Sequence, residues 1–144
     1  MLIRLKKFLS LDRYDQRMLI EALALLIWAR LLLWIVPFPA LHRRLSHQRV
    51  RKIAPPKDAP YYMSTIERAA QYVPGASCLT QSLAARWLLT RSGHDAALRF
   101  GARRNSAGKF EAHAWVESEG KILSRPIPDA EFSPLPSASS DNEK

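Results

Sequence analysis

The chain's one cysteine, Cys78, stands where Ser77-Cys78-Leu79-Thr80-Gln81-Ser82-Leu83 turns from loop into helix, and Ala112-His113-Ala114-Trp115-Val116-Glu117 follows one hairpin later. A thiol at a helix N-terminus feels the positive end of the helix dipole and several unsatisfied N–H groups, which favours the thiolate. A histidine within hydrogen-bond reach would make it an ion-pair nucleophile suited to acyl transfer. Each residue has a plainer alternative. A lone cytosolic cysteine is more often a small buried hydrophobe, and a lone strand histidine is more often a satisfied hydrogen-bond partner. It is their order, cysteine on a helix and then histidine on a strand, that points to chemistry.

The elements that must position them are legible in outline. The cysteine helix is expected from about Cys78 to Ser92, with Leu79, Leu83 and Trp87 repeating every four residues and Gly93 as its stop. Beyond it the period changes to that of strands: Ala96 to Gly101, a turn at Asn105 to Gly108, Phe110 to Glu117, a turn at Ser118 to Gly120, then Lys121 to Ser124. Alternation puts Glu111, His113, Trp115 and Glu117 on one face and Phe110, Ala112, Ala114 and Val116 on the other. Backbone N–H of Cys78 is the expected first donor to a tetrahedral oxyanion, with Gln81 or Trp115 as a second and Trp115 more readily a core residue.

Ahead of this, Tyr61 to Tyr72 is expected to be helical, with Ser64 and Glu67 at capping-box spacing. The longest helix is expected from Asp12 or Asp15 to about Val36, ended by Pro37 and Pro39. It holds an apolar run from Leu19 to Val36 that approaches bilayer length, but Glu21 and Arg30 interrupt it. An arginine near the middle of a spanning helix costs about 2.5–3.5 kcal/mol on insertion scales, so a buried or partner-covered hairpin is the simpler expectation. Trp28 and Trp34 are then core or interface residues.

At 144 residues the chain has the length of one domain. The organisation expected is an N-terminal apolar and basic helical region at 1–52, a proline-rich linker at 53–60, a catalytic core at 61–132 and a disordered tail at 133–144. A single cysteine allows no internal disulfide, and no Cys and His cluster has zinc-ligand spacing, so no metal or cofactor is expected and the pattern fits the cytoplasm. The net charge of +9 predicts attraction to something acidic. Eleven Lys or Arg against three Asp or Glu lie in residues 1–52, so most of the excess sits beside the apolar run. The basic stretch His42 to Lys52 lacks interleaved aromatics or a binding module, which argues against nucleic acid and for a solvated face, while a peripheral membrane contact is left open for the apolar N-terminal helices.

Ser77 to Leu89, Gly93, Ala112 to Glu117 and Gly120 together resemble the transglutaminase-like leader peptidase of lasso-peptide biosynthesis, in its split form with recognition and proteolysis on separate chains. The N-terminal helix pair ending in Pro37-Phe38 resembles that family as well, so the likeness runs from about residue 5 to 135. It implies an α+β fold: a transglutaminase/papain-like core, the Cys helix packed on an antiparallel sheet bearing the His, preceded by an N-terminal helical hairpin. It implies a cysteine protease that removes the leader from a ribosomally made precursor before a separate cyclase closes the macrolactam. Cys78 is then the nucleophile and His113 the base. The family's third member is an Asp after the next strand, where this sequence has Ser124 and Arg125; Asp129 is the nearest carboxylate beyond, and Glu117 is another candidate orienter. The implied partners are the precursor, a separate leader-binding protein and the lasso cyclase. Two alternatives stay open: a transglutaminase-like acyltransferase or amidase, and a catalytically impaired adaptor at a membrane or nucleic acid. The N-terminal helices are expected to be a docking surface whose removal leaves the Cys78 site formed.

Overall fold

The structure is a computed structural model that describes residues 2–37, 40–41, 43–44, 50, 53–123 and 133–134. Helices α1 (Leu2–Leu9) and α2 (Arg13–Ile35) follow one another through a short turn, and α3 (Ala59–Ala70) and α4 (Cys78–Arg91) come after them. Strands β1 (Ala97–Arg104), β2 (Phe110–Ser118), β3 (Lys121–Ile122) and β4 (Ser133–Pro134) form an antiparallel sheet in the order β3-β2-β1-β4. The fold is α+β, helices packed on an antiparallel sheet.

Local chemistry sets each boundary. The Asp12 carboxylate accepts from the Arg13 amide at the start of α2. Gln16 closes the α1–α2 turn by donating to the carbonyls of Phe8 (3.2 Å) and Leu11 (3.1 Å). Helix α3 starts earlier than the capping-box spacing implies. Asp58 is its N-cap residue, Pro60 takes an early helical position where no N–H is needed, and Ser64 lies inside the helix, its hydroxyl donating to the Tyr61 carbonyl (2.9 Å).

The β1–β2 turn is held by the Asn105 side chain, which accepts from the amides of Ala107 (3.0 Å) and Lys109 (2.9 Å). Between β2 and β3 the two-residue turn Glu119-Gly120 has positive φ at both positions, the geometry that matches the twist of a tight hairpin. Strand β3 is shorter than expected, although the Leu123 amide still donates to the Val116 carbonyl (2.9 Å). Part of the stretch read as a disordered tail is ordered: Ser133 and Pro134 pair with Ala102 and Gly101 along the edge of β1. Proline is tolerated there because an outer strand has one row of amides with no partner to serve.

One core joins the helices to the sheet. Met18, Ala22, Leu25, Leu26 and Ala29 of α2 meet Tyr62, Met63, Ile66 and Ala69 of α3, Leu83, Ala84, Ala85, Leu88 and Leu89 of α4, and Leu98, Ala114 and Val116 of the sheet. The core does not divide at the proline-rich segment. Helix α2 supplies the layer against which both α3 and α4 pack, so its removal would strip the Cys78 helix of one wall. The expectation that residues 1–41 can be deleted with the site intact therefore fails.

Polar pairs tie the same layers. Glu21 of α2 pairs with Arg91 at the end of α4 (2.7 Å). The hydroxyls of Tyr14 and fully buried Tyr62 lie 3.0 Å apart, and the Tyr61 hydroxyl donates to Asp15. Burial, chiefly, and these hydrogen bonds hold Tyr14 and Tyr61 protonated well above the usual phenol range.

Candidate active site

Cys78 is the first residue of α4 and is partly buried. Ser77 caps the helix, its hydroxyl accepting from the Thr80 amide (3.3 Å), which leaves the Cys78 and Leu79 amides ahead of the intrahelical ladder. The loop before the cap is fixed from two sides. The Gln81 side chain reaches back to donate to the Ala76 carbonyl (3.0 Å), so this amide, considered above as an oxyanion donor, has one N–H committed to the loop. Arg30 of α2 donates to the Gly75 carbonyl at 2.6 Å. Gly75 has φ +71°, which favours glycine, and a Cβ there would stand 2.7 Å from the Arg30 guanidinium, which would have to shift to make room for it.

The placement of α4 on the sheet follows from one buried hydrogen bond. Even-numbered residues of β2 turn their backbone groups away from β1, and the Val116 carbonyl accepts from Leu123 on that side. Two residues earlier the Ser82 hydroxyl donates to the Ala114 carbonyl (3.1 Å). Helix α4 is therefore tied to β2 on the side away from β1. Farther along, Arg86 donates to the Ala96 carbonyl (3.3 Å), just ahead of the β1 residue Ala97 that pairs with Glu117. The helix thus runs in the direction of β2.

Cys78 lies four residues, about 6 Å of helix, before Ser82, and Ala112 lies two residues before Ala114. Ala112 is exposed and Cys78 partly buried.

The faces of β2 divide as alternation requires. Ala114 and Val116 enter the core against α4, while Glu111, His113, Trp115 and Glu117 lie on the other face. There Arg103 pairs with Glu111 (2.9 Å) and Arg99 with Glu117 (3.2 Å) across the β1–β2 register. The His113 ring stacks beside Trp115, centroids 6.1 Å apart. His113 therefore stands on the sheet face opposite the one that packs on α4. Trp115 is partly exposed and donates its indole N–H to Glu117 (3.0 Å), which corrects its assignment to the core. Glu117 already serves Arg99 and Trp115.

Burial first, and the Arg103 guanidinium second, push His113 below its ordinary range, so the neutral imidazole that a general base needs is favoured near neutrality. Glu111 is held below the usual carboxylate range by hydrogen bonds from Asn105 and Arg103. Ser124, Arg125 and Asp129 lie outside the described residues. Among the described residues no cluster of three or more His, Cys, Asp or Glu is placed to hold a metal ion.

Sequence reasoning missed Ser82 and Arg30. Both had a signal: a serine on the buried side of an apolar helix and a lone arginine inside an apolar run each need a polar partner to be tolerated.

A helix begun by cysteine packs against an antiparallel sheet whose second strand bears histidine, the α+β arrangement of a transglutaminase-like core. Residues 22–137 match the family model described as the transglutaminase-like superfamily, and the chain belongs to that superfamily. Comparison with curated proteins finds no match, and neither does comparison with solved structures.

Proposed function

We propose that this protein is a cytoplasmic cysteine peptidase that removes the leader from a ribosomally made lasso-peptide precursor. The observation that supports the chemistry is the Ser82–Ala114 hydrogen bond, which ties the helix begun by Cys78 to the strand that carries His113. The substrate class is supported by the Ser77–Leu89 and Ala112–Glu117 segments and their resemblance to that peptidase.

In this mechanism His113 takes the Cys78 thiol proton and the sulfur attacks the scissile carbonyl, whose oxygen gains charge beside the Cys78 amide. The imidazolium then protonates the leaving amine as the C–N bond breaks, leaving a thioester. Water, deprotonated by His113, attacks that thioester, and the imidazolium returns a proton to the departing sulfur. Asp129 is the candidate orienter of the imidazole, and a Cys–His dyad is the form without it.

The resemblance is to the split form of that peptidase, so the proposal includes a separate leader-binding protein and a cyclase that uses the released core peptide. The test is precursor cleavage, read by mass spectrometry, with wild type and Cys78→Ala in the presence of the leader-binding partner. Leader release lost only in the variant supports the proposal; equal release by both proteins rejects it. An acyltransferase would instead transfer the thioester to an added amine, visible as a mass increment on the product.

A further inference from the structure

We propose that the outer face of α1 and α2 lies flat on an anionic lipid surface. Ile20, Ala24, Ile27, Leu31 and Ile35 are all exposed, and their spacing of four, three, four and four residues makes one continuous stripe along α2. Trp28 and Trp34 flank it, and Trp34 is 89% exposed. Helix α1, joined to the N-terminal end of α2, also exposes Leu2, Ile3, Leu5 and Leu9.

The charge around this patch has one sign. Arg17 and Arg13 continue the stripe at its N-terminal end with the same spacing, and Arg4, Lys6 and Lys7 project from α1; all are exposed. The three acidic residues of these helices are each engaged: Asp12 with the Arg13 amide, Asp15 with the Tyr61 hydroxyl and Glu21 with Arg91. A basic amphipathic surface with tryptophans at its apolar margin suits lipid headgroups with acyl chains beneath them. A largely apolar protein partner would have no use for the uncompensated cations.

The geometry is that of lying on a membrane, not crossing it. Helix α2 is long and apolar enough to span, but its other face, with Met18, Ala22, Leu25, Leu26 and Ala29, is part of the protein core. Insertion across the bilayer would require that core to open. Lying flat costs nothing of the kind, and Arg30, which would be expensive at a bilayer centre, stays on the flank bound to Gly75.

The test is co-sedimentation of the full-length protein with vesicles of phosphatidylcholine alone and of phosphatidylcholine mixed with phosphatidylglycerol. Binding to the mixed vesicles only, weakened by salt, is expected. Trp34→Glu, and separately Arg13→Glu with Arg17→Glu, should each weaken it by about tenfold or more while circular dichroism stays native. These side chains are exposed, so the variants should fold. Three outcomes would overturn the proposal: no binding to mixed vesicles, binding unaffected by either variant, or a wild-type dimer that Trp34→Glu converts to monomer, which would make the face a contact between two copies.

Discussion

The Arg30 guanidinium of α2 donates to the Gly75 carbonyl, three residues before Cys78, at 2.6 Å. An arginine that interrupts an apolar helix thereby fastens the loop that presents the thiol. Because the contact is solvent-exposed, Arg30→Met should lower global stability by only about 1 kcal/mol. The site should suffer more. The cleavage kcat should fall with little change in KM, and Arg30→Lys, which keeps one charged donor, should restore part of it. A loss confined to KM would exclude a positioning role.

Gly75→Ala tests the same contact from the other side. The left-handed φ costs about 1 kcal/mol for a residue with a Cβ, and the methyl group would displace the guanidinium. Thermal unfolding should reveal the strain, and alkylation of Cys78 by iodoacetamide should change in rate to the same extent as in Arg30→Met.

Removing the Ser82 hydroxyl leaves the Ala114 carbonyl without that donor in a buried place, so Ser82→Ala should cost about 1–3 kcal/mol in denaturant unfolding. Since this bond sets the helix along β2, activity should fall beyond what the unfolded fraction explains. Stability lost with full specific activity would show that the register is held elsewhere.

The pH dependence has a definite sign. With His113 held below its ordinary value, the unfolded chain takes up its proton first as pH falls from about 6.5, so this group withdraws stability in that window and none of its effect is felt well above it. The acid limb of activity should lie below pH ~6.5 for the same reason. Arg103→Gln removes one cause and frees Glu111 nearby, so both should move upward. An NMR titration of the His113 ring in the two proteins measures the shift directly, and a downward or absent shift would reject Arg103 as a cause.

In the core, Leu26 is fully buried between α3 and α4, and Leu26→Ala should cost about 2–5 kcal/mol. The same substitution at exposed Leu31 should be nearly neutral in the absence of lipid, which calorimetry can compare.

Much of this protein could be read from local order along the chain. The Ser77 cap ahead of an apolar four-residue repeat, the loss of that repeat at Gly93 and the alternation around His113 each depend on neighbours within one element, so α4 and β2 appear where the residues place them. The α3 boundary was misjudged because Ser64 has the right spacing for a cap while Pro60 and Asp58 make an earlier start. Tertiary structure alone decided the rest. Whether α2 belongs with the site depended on contacts more than forty residues apart, Arg30 to Gly75 and Tyr14 to Tyr62. The tie between α4 and β2 depended on Ser82 finding the Ala114 carbonyl, 32 residues on. Periodicity shows which side of an element is apolar; which neighbour covers that side, and which part of α2 remains bare, is settled only when the elements compete for the same core.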